Sequence, residues 1–263
     1  MTAAVRSLVF ITGASSGIGQ ALAARFYAEG HDLALVARSV QAMQDWTQAK
    51  GWEPARYAIY GADVSVADSI VAAGLQCIER QGLPQVVVAN AGVSWGVDTA
   101  EREDLEVMAQ LFATNNLGMA ASFHPFIRAM QARGSGTLVG LASVAAIRGL
   151  PGHGAYCASK AGVVAYCESL RGELRASGVR VVTLLPGYVA TPLTRENRYP
   201  MPFLLTADDF ARRACRTILR QTSYAVIPWQ MGIVAKLLRV LPNAVFDRLL
   251  QGRKTKQRHQ PER

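Results

Sequence analysis

Seven short, nearly unbroken runs of apolar and β-branched residues recur along the chain, and segments of helical length and amphipathic pattern separate most of them. The runs are SLVFI, DLALVA, ARYAIYG, QVVVAN, GTLVGLAS, VRVVTLLP and YAVIP. A strand that is apolar on both faces must be covered on both faces, which is the habit of parallel strands with helices packed above and below. The pattern predicts an α/β fold: a single Rossmann-like, doubly wound domain whose parallel sheet of about seven strands is flanked by helices. Half of the 263 residues are hydrophobic, enough for one large core, which excludes disorder as the whole answer.

In a sheet of this kind, ligands gather outside the carboxyl ends of the strands. Those ends are Thr12 to Gly19, Ala37 and Arg38, Asp63, Asn90 to Gly92, Ser143, and Pro186 with Gly187. The first reads TGASSGIG and passes from an apolar run into a helical pattern. Glycine at 13, 17 and 19 permits a tight turn, a close approach of backbone to a pyrophosphate and close packing of helix on sheet. The helix amino terminus then offers free N–H groups and a partial positive charge to the anion. Ser15, Ser16 and Ile18 complete that turn as cofactor contacts. Taken alone, a purely structural turn explains these glycines too.

Further along, DV at 63–64, NAG at 90–92, NNLG at 115–118, Ser143, YCASK at 156–160 and PGYVAT at 186–191 follow in order. Together with TGASSGIG these make the chain resemble the short-chain dehydrogenase/reductase family over roughly residues 5 to 230. The resemblance implies hydride transfer between a nicotinamide and a substrate carbon, with Asn115, Ser143, Tyr156 and Lys160 as the catalytic set.

Elementary chemistry supports those roles. Tyr156 and Lys160 are four apart on one helix face. A free phenol has a pKa of about 10, and a nearby ammonium is expected to lower it toward a useful range. An isolated Y-x-x-x-K is more often a packed tyrosine and a solvated lysine, and only the companion motifs reverse that reading. Ser143 offers a hydroxyl to the same substrate oxygen, orienting it and stabilising developing charge. Asn115, three residues before Gly118, matches the family's N-x-x-G, where the asparagine helps hold a water linking lysine to solvent; Asn116 next door is the alternative.

The resemblance also implies cofactor contacts. Asp63 lies against the adenine with Val64 beside it, although a helix cap explains Asp63 nearly as well. Asn90, Ala91 and Gly92 border the adenosine ribose. Tyr156 and Lys160 reach the cofactor as well as the substrate, Pro186, Gly187 and Val189 shape the nicotinamide side, and Thr191 bonds the carboxamide. At the end of the second run, where an NAD enzyme is expected to carry an acid for the ribose 2′-hydroxyl, this chain has Ala37 and Arg38. A guanidinium suits a 2′-phosphate, so Arg38, with Ser39, points to NADP(H).

The expected function is therefore an NADP(H)-dependent oxidoreductase interconverting a carbonyl and an alcohol on a hydrophobic small molecule. One alternative is a non-catalytic NADP(H)-binding module for redox sensing or interaction, which has no need of the four catalytic residues together. Another is a membrane-attached structural partner, which leaves the glycine turn unexplained. The substrate segment is residues 194–209, whose MPFLL is apolar enough to line a pocket or lid. His153, Ser94 and Trp95 lie close enough in sequence to face substrate, or are plain loop.

The formal charge of +9 is concentrated at the end, where Arg253, Lys254, Lys256, Arg258 and Arg263 face only Glu262. The body is mildly basic and shows no interleaved basic and aromatic surface, so nucleic acid is not an expected partner. Four dispersed cysteines without C-x-x-C pairs or histidines at ligand spacing read as reduced thiols of a cytoplasmic protein with no metal site. The first strand is expected to start too early, and its apolar run to be too short, for a signal peptide. Residues 1–230 read as the cofactor-binding and catalytic domain, 231–251 as an apolar helical extension of it, and 252–263 as a basic, disordered tail. In the extension Ile233, Val234, Leu237, Leu238 and Leu241 follow helical spacing, Pro242 breaks the helix and Asn243 reads as the cap of a second one. That pair, ending in a basic run, fits peripheral contact with an anionic membrane; covering the domain's own surface or a partner subunit fits it as well. The resemblance further implies a homodimer or homotetramer.

Overall fold

The computed structural model describes residues 6–195, 197, 199–252 and 258. Strand and helix alternate as β1 (Leu8–Thr12), α1 (Gly17–Ala28), β2 (Asp32–Ala37), α2 (Val40–Ala49), β3 (Tyr57–Gly61), α3 (Ala67–Gln81) and β4 (Val86–Ala89). The second half runs α4 (Asp104–Phe112), α5 (Gly118–Arg133), β5 (Gly136–Leu141), α6 (Gly154–Leu174) and β6 (Val179–Pro186). A pair of two-residue strands, β7 (Val189–Ala190) and β8 (Leu205–Thr206), precedes α7 (Ala207–Leu219), β9 (Tyr224–Ile227), α8 (Trp229–Val240) and α9 (Asn243–Leu250).

The main sheet has seven strands in the order β3-β2-β1-β4-β5-β6-β9, and every neighbouring pair is parallel. The seven apolar runs are its seven strands. β1 is the pivot: Ile11 pairs with Leu35 on one side and Val88 on the other, and chain order reverses between β1 and β4. A crevice opens at such a reversal, outside the strands' carboxyl ends.

Side chains alternate across the sheet and split the core in two. Phe10, Val87 and Leu138 face α3, α5 and α6, where Ile70, Phe123, Phe126 and Val163 are buried. Val9, Ile11, Leu35 and Val139 face α1 and α7, where Leu22, Phe26 and Phe210 are buried. The Phe10 and Phe126 rings meet across the first layer at 4.9 Å and 59°. Truncating Phe126 to alanine there costs about 3–5 kcal/mol of stability. The four cysteines are buried free thiols.

The C-terminal helices depart from expectation at the cap of α9 and divide the apolar series of α8 between two faces. α8 packs through Met231, Gly232 and Ala235, whereas Ile233 and Leu237 of the large apolar series point outward. The small residues permit the close approach, since a Cβ on Gly232 would stand 3.2 Å from the Val226 side chain. Asn243 is the first residue of α9 with Pro242 at the cap position, and its Oδ1 accepts from Arg148 instead of capping. Among the described residues, no helix is long and apolar enough to cross a membrane.

Candidate active site

The carboxyl ends of β1, β2, β4, β5 and β6 open into one cavity of ≈ 620 Å³. Gly13, Ser15, Ser16, Gly17 and Ile18 form its floor at the start of α1. Gly17 has φ +54°, a conformation costly for any residue with a Cβ. Gly19 lies beneath the turn and off the cavity wall; a Cβ there would stand 2.1 Å from the Gly13 carbonyl oxygen. Ser16, at the N-cap, makes no side-chain capping bond, and the first turn of α1 carries no acid. The positive end of the helix therefore meets no competing carboxylate within its own first turn, as a pyrophosphate site requires.

A strut that sequence reasoning missed ties this turn to the β4 end. The Thr12 hydroxyl accepts from the Asn90 and Ala91 amides, both at 3.1 Å, while Asn90 Nδ2 donates to the Thr12 and Gly13 carbonyls at 2.9 and 3.2 Å. Asn90, Ala91 and Gly92 line the cavity above it. The signal for Thr12 was its place between strand and first glycine.

Ser143, Tyr156 and Lys160 stand together on the opposite wall. Ser143 follows β5, and its Oγ accepts from the Ala145 amide at 3.2 Å and hydrogen-bonds Tyr156. Lys160 is buried, and its Nζ donates to the Leu141 carbonyl at 2.8 Å. Burial pulls the lysine down to about 8. Burial also pushes Tyr156 up to about 12, against the opposing pull of the Ser143 hydrogen bond. Burial is the largest influence on the phenol, and the expected lowering by the ammonium is not among the causes of its shift. The spacing of the two residues revealed their shared face and not their depth.

Asn115 sits behind this wall, off the cavity, in a π-helical turn, Ala113–Leu117, between α4 and α5. Its Oδ1 accepts from the Val93 amide at 2.9 Å, and its Nδ2 donates to the Val93 carbonyl and Ser159 Oγ, both at 3.0 Å. Ser159 in turn donates to the Tyr156 carbonyl at 2.9 Å. A Cβ on Gly92 would lie 3.0 Å from Asn115 Oδ1 and 3.3 Å from Lys160 Nζ, so amide and ammonium flank the same piece of backbone. Asn116 instead donates to the Ser159 carbonyl at 2.8 Å.

At the β2 end, Arg38 lines the cavity and Ser39 does not. Ser39 caps α2, accepting from the Ala42 amide at 3.3 Å, a bond that uses a lone pair of its hydroxyl and leaves the O–H to donate. Asp63 and Val64 complete this wall. Hydrogen bonds from Ser65 hold the Asp63 carboxyl below the usual carboxylate range, and the charge of Arg38 adds to them. Asp63 is no helix cap: α3 starts at Ala67 behind Val66, and Asp63 closes a turn onto Ser65. On the far side Pro186, Gly187, Val189 and Thr191 line the cavity. Thr194, the first residue of the segment read as substrate-facing, also lines the cavity and pins their turn by accepting from the Thr191 amide at 3.1 Å and donating to the Val189 carbonyl at 2.6 Å.

The substrate side departs most from expectation. Trp95 and Leu193 line the cavity; Ser94 and His153 do not. His153 Nε2 instead lies 3.4 Å from the Tyr199 hydroxyl, with the rings edge to face at 5.8 Å. No residue of Met201–Leu205 lines the cavity, and Phe203 and Leu204 are exposed. Glu196 and Arg198 of the substrate segment lie outside the described residues, as do 253–257 and 259–263 of the tail. Arg258 pairs with Gly96 along the backbone and donates through Nε to the buried Asp104 at 2.8 Å, with Glu101 at 3.6 Å. Among the described residues, no group of three or more His, Cys, Asp or Glu is placed to hold a metal ion.

The model of the short chain dehydrogenase family matches residues 7–201. A Myxococcus xanthus protein named an uncharacterized oxidoreductase is 38% identical over 246 residues, covering 90% of this chain and 93% of its own. Human short-chain dehydrogenase/reductase 3 is 28% identical over 249 residues, covering 93% of this chain and 82% of its own. Among solved structures, an alcohol dehydrogenase from the archaeon Thermococcus sibiricus, complexed with 5-hydroxy-NADP, matches with a TM-score of 0.73 at 28% identity, covering 84% of this chain and 96% of its own.

Proposed function

The chain belongs to the short-chain dehydrogenase family, whose members are oxidoreductases using nicotinamide cofactors, and from that premise we propose that it is an NADP(H)-dependent enzyme interconverting a carbonyl and an alcohol on a hydrophobic substrate. The observation that carries this reading is the meeting of Ser143, Tyr156 and Lys160 on one wall of a cavity whose remote end holds Arg38. The residues present suit the cofactor. An α1 amino terminus without acids in its first turn fits a pyrophosphate, and Arg38 after an acid-free β2 end fits a 2′-phosphate.

The nicotinamide, when bound, supplies hydride to the carbonyl carbon or takes it back from the alcohol. The protein's share is the proton and the charge on oxygen. The hydrogen bond between Ser143 and Tyr156 supports a reading in which both hydroxyls donate to one substrate oxygen. A phenol held at about 12 is protonated at neutral pH, the form that donates as the oxygen becomes an alcohol. Lys160, brought down to about 8 by burial, stays mostly protonated at neutral pH, the form that would stabilise the phenolate left behind. Asn115 holds the Val93 and Ser159 segments around that lysine. The apolar part of the substrate would meet Trp95 and Leu193.

The test is NADPH oxidation by the pure protein against ketones graded from short and polar to long-chain 3-oxo compounds. Rates that rise with chain length are expected. Equal rates across the panel would overturn the hydrophobic specificity, and tight NADPH binding with no turnover on any member would favour the binding-module alternative.

A further inference from the structure

α8 turns its large apolar residues toward solvent and its small ones toward the protein. Val240 is 76% exposed, Trp229 64%, Leu237 61% and Ile233 50%. At about 100° per residue these four fall within an arc of about 80°, with Lys236 at its margin and Arg239 further round on the same side. The helix Trp229–Val240 contains no acid. α9 continues the pattern with exposed Val245 and Leu249 one turn apart and Arg248 between them, against a single Asp247.

The pair is fastened rather than frayed. Arg148, five residues beyond Ser143, donates to the Leu238, Arg239 and Leu241 carbonyls at the end of α8 and to Asn243 Oδ1, and its guanidinium lies 3.7 Å over the Phe246 ring. This holds the apolar stripe outward. It also ties the stripe to the cavity rim, because a Cβ on Gly187 would stand 2.8 Å from Met231 Cγ on the packed face of α8.

We propose that the outer face of α8 and α9 docks on an anionic lipid surface, lying in the interface with Trp229, Ile233, Leu237 and Val240 among the acyl chains and Lys236, Arg239 and Arg248 at the headgroups. A helix of 12 residues is too short to span a bilayer, so it lies along it. Tryptophan at one end and flanking cations suit the interface, and the sequence adds Arg253, Lys254 and Lys256 immediately beyond. A second copy of this chain fits the face less well. A two-fold pairing of α8 with itself brings Lys236 and Arg239 of one copy toward those of the other, with no acid on the helix to offset them.

The experiment is co-sedimentation of the full chain with phosphatidylcholine vesicles, with and without phosphatidylglycerol, at low and raised salt. It reads binding without turnover, so its outcome is separable from the assigned chemistry. The wild-type chain is expected to pellet with the anionic vesicles alone, and less at high salt. Leu237→Glu combined with Val240→Glu should leave it in the supernatant, with the milder Leu237→Ser intermediate. Leu75→Glu, at an exposed apolar position of α3, should pellet like wild type. Failure of the wild type to pellet, or equal pelleting by the double variant, would overturn the proposal. Lipid-free sedimentation velocity guards the remaining case: wild-type association that the double variant abolishes would mean a second copy covers this face, and would overturn it too.

Discussion

The cavity edge of the sheet and the C-terminal helices are held by opposite means. At the edge, side-chain oxygens and amides are engaged with backbone: Thr12 with Asn90, Asn115 with Val93, Lys160 with Leu141, Thr194 with Val189. Residues far apart in sequence are fixed to within a hydrogen bond. α8 and α9 are held by small-residue packing and one guanidinium, and they turn leucine, valine and tryptophan to solvent. Hydride and proton transfer depend on the placement of a few atoms, and a misplacement of about 1 Å can cost about 100-fold. A surface that meets lipid needs only area and sign of charge. On the proposed reading, the contrast separates a rigid reaction chamber from a face whose demands are compositional.

The largest expected effect tests the chamber. Tyr156→Phe should lower kcat by about 10²–10⁴-fold while NADPH affinity stays near wild type, read by fluorescence titration. Undiminished turnover would remove Tyr156 as the proton donor.

Next comes the cost of burying Lys160. Its folded pKa of about 8 lies below the ordinary 10.5, so between those values the unfolded chain carries more protons than the folded one. Stability therefore rises with pH across that window, by up to about 3 kcal/mol for this group. The phenol of Tyr156, raised to about 12, acts in the other direction only above its ordinary value of 10.0. Urea midpoints from about pH 7 to about pH 9.5 should climb more steeply for wild type than for Lys160→Met, which lacks the titration. Parallel curves would mean that Lys160 is more hydrated than the structure shows. The Leu141 carbonyl, left without its donor in the variant, offsets part of the gain at neutral pH by about 1–3 kcal/mol. The slope is therefore the diagnostic quantity, and the midpoint at one pH is not.

Arg38→Asp should weaken NADPH relative to NADH by about 10- to 100-fold, the worth of one charge-assisted hydrogen bond to the 2′-phosphate. An unchanged ratio of kcat/KM for the two cofactors would show that Arg38 is only a solvated charge beside Asp63.

The same contrast governs what could be read from sequence. Seven continuous apolar runs became seven parallel strands because burial on both faces leaves no other pattern. The glycine turn and the Tyr156 face were legible because phosphate approach and helical spacing constrain residue type at fixed intervals. The second role of Ser39, as the cap of α2, was hidden because a helix cap and a phosphate contact ask for the same residue type. The direction of the Tyr156 shift was hidden because desolvation depends on depth, to which four-residue spacing is blind. β7 and β8 are two residues each, too short for any period to announce. On α8 the apolar spacing was visible and left outward and inward packing both open; the small residues Gly232 and Ala235 on the packed face decide between them.

The smallest effect asks whether the two regions are one unit or two. Arg148 is the link, rooted near Ser143 and reaching the end of α8 and the ring of Phe246. Arg148→Ala removes several charge-assisted bonds in a partly exposed setting, where solvent screens them, and none of the groups it bonds lines the cavity, so its effect on turnover should be the smallest of the series. If the catalytic edge is self-supporting, as its own network implies, kcat for a short ketone stays near wild type while tryptic cleavage at Lys236 and Arg239 accelerates. A kcat that falls with that cleavage would show that α8, seated against Gly187 on the cavity rim, belongs to the chamber's frame. In that event docking of α8 on a surface would bear on turnover as well as on place, because the helix that meets the lipid would also hold the turn beside the nicotinamide site.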